Sequence, residues 1–259
     1  MSFHLRDHIY IAQFRDELIL LDLKQDTYTI CFQSFSDLLI DLLDENKPKS
    51  ENKPATKKIS PIEVNCLSYS LQLKSDDLAF AKQLVDDNII EEQNSPFLFH
   101  IDRKPDTYGV SNVDWRLPLD NKKVLLNGEV LKAFVTLLKI NFYMKVRGFY
   151  ATIQLIKNHR KKRVDYIIPS GEDLRELANI VNKACLLYPT RIKCLEWAMT
   201  YVLTALKQRW KCNLEIGVQN YPFMAHAWVE CDGKVVMDSQ DLREGLAIIL
   251  NEPFRKVKI

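Results

Sequence analysis

Residues 191–209, RIKCLEWAMTYVLTALKQR, decide how this chain is read. Cys194, Trp197, Ala198, Tyr201, Val202, Ala205 and Leu206 recur at steps of three and four, the spacing of one helical face. The pattern predicts a buried stripe with Cys194 near its N-terminal end and Thr190 as the cap. A thiol at that end meets the unpaired amides of the first turn and the positive end of the helix dipole. Both favour the thiolate, and the same amides can hold an oxyanion. Residues 214–239, LEIGVQNYPFMAHAWVECDGKVVMDS, follow and read as strands over 214–218, 223–231 and 234–238. A helix that presents a thiol to an antiparallel sheet carrying a histidine and a carboxylate has the parts of a cysteine-nucleophile acyl-transfer site.

Each residue also has a plainer reading. A free cysteine is usually a small buried hydrophobe, and His226 taken alone is more often a structural hydrogen bonder than a base. His226 is nevertheless the only histidine inside a predicted strand of this sheet; His4, His8, His100 and His159 sit in polar or irregular text. Alternation puts Trp228 and Glu230 on the face of His226, where they can line a cleft, although such a tryptophan is equally a lid over the core. Asp238 depends on hairpin register. A two-residue turn at Asp232-Gly233 sets Cys231 opposite Lys234 and turns Asp238 away from His226. A three-residue loop over 231–233 sets Glu230 opposite Lys234 and brings Asp238 across from His226. The three-residue loop is the expectation.

Upstream of this region, helices are predicted over 127–140, 148–157 and, capped by Ser170, to about 187. Residues 96–120 contain three prolines and read as an irregular connector. The first 95 residues show short strand-like runs at 9–14, 18–23 and 27–32 and helical runs after Ser34 or Ser36, over 60–72 and over 76–88. Residues 46–60, NKPKSENKPATKKIS, read as a solvated loop. The expected fold class is α+β: a small winged-helix-like module of three strands and three helices over 1–95, the connector over 96–120, and helices packed on an antiparallel sheet over 121–259.

Bulk properties remove other classes. A net charge of +2 gives no reason to expect nucleic acid or membrane partners. No apolar run is long enough to span a bilayer, and the first 21 residues carry too many charges for a secretory signal. The six cysteines form no metal-ligand pair, so no metal is expected, and a reducing, cytoplasmic setting is the simplest reading. There is no nucleotide-binding loop motif. The run Arg160-Lys161-Lys162-Arg163 is either a solvated face or a docking patch.

At the residues quoted, the chain resembles the lasso peptide maturation proteases, the B proteins of lasso peptide biosynthesis. The likeness covers about 170–245. It includes Arg191 before Cys194-Leu195, Gly217-Val218, the run from Phe223 to Glu230, Gly233 in the hairpin and Asp238. It implies a transglutaminase-like, papain-related domain with Cys194 as nucleophile, His226 as base and Asp238 as orienter. Residues 21–42 and 84–92 resemble a precursor-recognition element, here fused to the protease. That resemblance implies that a leader peptide adds as a strand along 27–32, at Tyr28, Ile30 and Phe32, beside the helix carrying Leu78, Lys82 and Val85. The implied reaction is removal of the leader from a ribosomally made precursor. A separate asparagine synthetase-like cyclase, using ATP and magnesium, then closes the ring, and the protease can depend on it. No cofactor is implied on this chain itself. The same triad would also suit an amide-forming transglutaminase, and a non-catalytic scaffold that presents precursor is the remaining alternative. The text departs from the family at 208–212, which lacks the glycine of the usual turn.

Overall fold

The computed structural model describes residues 2–43, 77–111, 115–119 and 125–258; the loop at 46–60 and the helix expected over 60–72 fall outside the described residues. The fold is α+β. Its first part contains β1 (Ser2–Leu5), β2 (Ile9–Phe14), β3 (Glu17–Asp22), β4 (Thr27–Cys31), α1 (Gln33–Leu43), α2 (Asp77–Asp86), β5 (Ile90–Gln93) and β6 (Arg103–Lys104). The β2–β3–β4 meander matches the three strand-like runs to within a residue or so. Two additions change the three-strand expectation. β1 and β5 form an antiparallel ribbon, in which Ile90, just beyond the helix expected over 76–88, begins a strand. β6 pairs in parallel with β2, giving the order β4-β3-β2-β6. Residues 96–120 are therefore not uniformly irregular. A two-residue strand followed by Pro105 shows no alternation, so it has no local signature.

The second part contains α3 (Gly128–His159), α4 (Gly171–Leu186), α5 (Cys194–Lys207), β7 (Cys212–Gln219), β8 (Met224–Cys231), β9 (Lys234–Val235), α6 (Asp241–Gly245) and β10 (Ala247–Glu252). Asn127 caps α3 by accepting from the amides of Glu129 and Val130. The two helices expected here are one element kinked at Gly148, where φ is 79°. Ser170 and Asp173 form the capping box that starts α4. The strands form an antiparallel sheet ordered β10-β7-β8-β9; its edge strand β10 is not apparent in the sequence pattern.

The burial pattern of β2 and β3 explains how the two parts join. Tyr10, Ala12, Phe14, Ile19 and Leu21 enter the large core built on α3, α4, α5 and the second sheet. Ile9, Ile11, Leu18 and Leu20 face a separate core with Leu39, Leu43 and Leu84 of α1 and α2. One sheet thus has a face in each core. Burial on both sides excludes water along β2 and β3 and locks their register. A buried hydrogen bond from Tyr10 to Glu252, 2.7 Å, ties β2 to β10. Among the described residues, no helix is long and apolar enough to cross a membrane.

Candidate active site

α5 is buried on all sides from Trp197 to Leu206, and not along one stripe. The extra burial is tolerated because Thr200 and Thr204 donate back to the carbonyls of Glu196 and Thr200, at 2.7 and 2.8 Å. Trp197 donates to Asn182 and Tyr201 to the Leu174 carbonyl, both on α4. These bonds hold the helix rigidly. Its start differs from expectation: Lys193, not Thr190, occupies the N-cap, and the Glu196 carboxylate accepts from the Lys193 amide at 2.9 Å. Cys194 is consequently the first helical residue, where the amides are unpaired.

Cys194 is half-buried. Burial pushes its thiol up, but hydrogen bonds from His226 and the Ala227 amide, attraction to His226 and the Leu195 amide outweigh that, and the thiol lies below its usual value. His226 sits on β8, opposite Gly217 of β7, with only 3% exposure. Its Nε2 contacts Asp238 Oδ2 at 2.9 Å, which leaves Nδ1 for the sulfur. Burial disfavours the imidazolium; hydrogen bonds to Asp238 and Cys194 and their charges more than compensate, raising His226 to about 9. The arrangement shifts both groups toward a thiolate–imidazolium pair.

The hairpin before Asp238 corrects the register expectation. Cys231 pairs with Lys234 and Glu230 with Val235, so the turn is the two-residue one. Asp232 and Gly233 both have positive φ, 48° and 77°, as a type I′ turn requires. In an unbroken strand that register turns Asp238 away from His226. The strand breaks instead. Val236 still donates to Val229, but Met237 adopts φ 54°, in the left-handed region. This reversal swings Asp238 back onto the histidine. Asp238 Oδ1 accepts from the Ser239 amide at 2.9 Å, which fixes the carboxylate.

Trp228 and Glu230 do not line an open cleft. Trp228 is 1% exposed and belongs to a small core with Val235, Leu242 and Leu246; its ring stacks on His226 with centroids 6.1 Å apart. Gly217 makes room for it, since a Cβ there would lie 2.6 Å from the ring. Glu230 is buried and paired with Arg243 and Lys256, at 3.6 and 3.5 Å. The alternation assigned their face correctly, but packing of α6 and the C-terminal strand closes it.

The residues named for leader binding separate into two groups. Tyr28 and Ile30 pack against the large core that Cys194 borders, and Tyr28 feels the charge of Cys194. Its ring lies 5.3 Å from that of Phe223, just before β8. Phe32 is exposed. Val85 packs in the other core, Lys82 is exposed, and the side chain of Leu78 lies outside the described residues. Tyr28 and Val85 therefore do not converge on one groove.

Sequence reasoning missed a wall of the site. A cavity of about 500 Å³ beside Asp238 is lined by Gly109, Trp115, Arg116, Met237 and Asp241. Gln219 holds this wall by accepting from the Val110 amide at 2.8 Å and donating to its carbonyl at 3.2 Å. Arg191 reaches the Trp115 carbonyl at 3.4 Å. The aromatic-basic pair Trp115-Arg116 was the available signal, hidden in text that otherwise reads as linker. Among the described residues, no cluster of His, Cys, Asp and Glu could hold a metal.

A helix-borne cysteine, a strand-borne histidine and a carboxylate beyond the next turn are the arrangement expected of a transglutaminase-like fold. Residues 136–251 match the transglutaminase-like superfamily, so the chain carries a domain of that class. The chain is also 28% identical over 146 residues to the microcin J25-processing protein McjB of Escherichia coli. That match covers 52% of this chain and 64% of the relative, so it spans under two thirds of McjB. No solved structure matches the chain significantly.

Proposed function

We propose that this protein is a cysteine peptidase that removes the leader from a ribosomally synthesised lasso peptide precursor. The single observation that carries the reading is His226 held between Asp238 at 2.9 Å and the Cys194 thiol, with that thiol shifted toward the thiolate. The likeness to a microcin-processing protein supports the substrate class.

Chemistry follows from the geometry. The Cys194 thiolate adds to the carbonyl carbon of the scissile peptide, and the Leu195 amide at the start of α5 is placed to donate to the developing oxyanion. The C–N bond breaks as the imidazolium gives its proton to the departing amine, which is the new N-terminus of the core peptide. Neutral His226 then takes a proton from water, whose oxygen attacks the thioester. The leader leaves as a carboxylic acid that gives its remaining proton to solvent, and the thiolate–imidazolium pair is restored. Asp238 keeps Nε2 protonated throughout, so Nδ1 handles each transfer.

Tyr28 suggests how the leader arrives. β4 is the terminal strand of its sheet among the described residues, and Tyr28, near its start, feels the Cys194 charge. A leader laid antiparallel to β4 would run toward Tyr28 with its C-terminal end leading, which delivers the scissile bond to the thiol. A parallel leader would deliver its N-terminal end. The proposed partners are thus the precursor and an ATP- and magnesium-using, asparagine synthetase-like cyclase that takes up the released amine.

The test is mass spectrometry of a candidate precursor incubated with the protein, with and without the cyclase and ATP. Two fragments are expected from the unaltered protein and none from Cys194→Ala, which should still bind leader. Full processing by Cys194→Ala, or a crosslinked product in place of two fragments, overturns the reading.

A further inference from the structure

α3 packs one face, including Ala133, Leu137 and Ile140, into the large core. Its opposite side is not polar. Leu131, Val135, Leu138, Phe142 and Val146 are 63, 56, 43, 58 and 61% exposed. They recur at steps of four, three, four and four, and at 100° per residue they fall within about 80° of the helix circumference. Five large apolar side chains in one stripe on a rigid helix are far from the scattered single hydrophobics of an ordinary surface.

Charge identifies what the stripe fits. Lys132 and Lys139 border it on one side and Lys145 on the other. Glu129, paired with Lys132 at 2.7 Å, precedes the stripe. From Val130 to Val164 the chain has nine lysines and arginines and no aspartate or glutamate. The exposed residues Lys161, Lys162 and Arg163 close that stretch. A second copy of this chain would bring lysine border against lysine border, which is repulsive.

We infer that α3 is a docking face for a protein partner that presents an amphipathic helix with an apolar seam and acidic borders. Apolar contact along 131–146 would supply affinity, and the lysine borders would select the acidic helix over a basic one. This surface has no residue in common with the proposed catalytic site, so the inference stands or fails apart from the peptidase reading.

The test uses the full chain and two synthetic helical peptides of about three heptads. Both have leucine along one seam; one carries glutamate and the other lysine at the remaining positions. Fluorescence anisotropy should show the glutamate peptide binding at least about tenfold more tightly than its lysine twin, more weakly as salt rises. Leu138→Glu with Phe142→Glu should weaken it at least about tenfold. The milder Phe142→Gln and the charge reversal Lys139→Glu should each weaken it several-fold, with melting temperature unchanged. Equal binding of both peptides, or indifference to these substitutions, overturns the inference. So does sedimentation showing a dimer that Leu138→Glu dissolves, because the stripe then serves a second copy. Binding of a DNA duplex that depends on Lys139 and Lys145 but not on Phe142 would likewise overturn it.

Discussion

Cys194 and His226 are carried by regular structure; Asp238 is not. The cysteine opens α5, a helix buried on every side, and the histidine lies mid-strand on β8 with hydrogen-bonded neighbours on one flank along its whole length. Asp238 hangs from a short segment whose geometry turns on the left-handed conformation of one methionine. The first pair is positioned by many cooperative backbone bonds, the third member by a single reversal plus one amide. Two consequences follow. The nucleophile–base pair should tolerate little change in its own atoms but resist distortion from around it. The acid should be replaceable at lower cost but sensitive to its local backbone.

The largest expected effect is at the histidine. On the proposed peptidase reading, His226→Gln should lower leader hydrolysis by more than about a thousandfold, as Cys194→Ala should, since either removes the proposed proton-transfer pair. Single-turnover rates followed by mass spectrometry decide it, and a variant with most of its activity would detach the histidine from the chemistry. Asp238→Asn keeps an acceptor but removes the charge. A loss of about ten- to a hundredfold is expected. The pH profile should change as well. The raised His226 value means the imidazolium is stabilised fully below 6.5 and the effect fades as pH rises through about 9. The unaltered protein should therefore hold the proposed activity through neutrality and lose it near pH 9, and Asp238→Asn should bring that alkaline limb to lower pH. An unmoved limb would make Asp238 an ordinary turn residue.

A third substitution probes the regular half from behind. The Cβ of Gly217→Ala would sit 2.6 to 2.8 Å from the Trp228 ring and the Leu246 side chain. Overpacking of about 1–3 kcal/mol is expected, seen as a lower melting temperature. The rate should fall less than in Asp238→Asn, because β7 and β8 hold His226 through the backbone ladder. A rate loss exceeding the stability loss would show that Trp228 steers the imidazole. The smallest effects belong to Met237. Met237→Gly should gain up to about 1 kcal/mol by relieving the left-handed conformation. Met237→Val should lose a similar amount and, by resisting positive φ, release Asp238 and reproduce part of the Asp238→Asn pH shift. If glycine and valine behave alike, the reversal at 237 does not hold the acid.

The legible parts of this molecule share one property. The α5 stripe, the Ser170 capping box and the β2–β3–β4 meander each encode their geometry within a few residues, so period and cap residues reveal them. The failures are equally specific. Thr190 has the side chain of a good cap, yet Lys193 takes the position because Glu196 reaches back to its amide. Strand alternation puts Trp228 and Glu230 on the face of His226, yet α6 and Lys256 cover them from far along the chain. In an unbroken strand, the expected three-residue hairpin loop is the one that brings Asp238 to His226. The chain makes the shorter turn favoured by Asp-Gly and recovers the contact through Met237.

By itself, then, the sequence determined the helix that bears the thiol, the strand that bears the imidazole and their shared sheet, because hydrophobic period and strand alternation are local properties. Only the tertiary structure decided that Asp238 reaches His226, that Tyr28 stands within the field of Cys194, and that Gly109, Val110, Ser111, Trp115 and Arg116 form a wall beside the acid. Those placements join segments whose mutual position depends on how two cores share one sheet, and no periodicity along the chain carries that information.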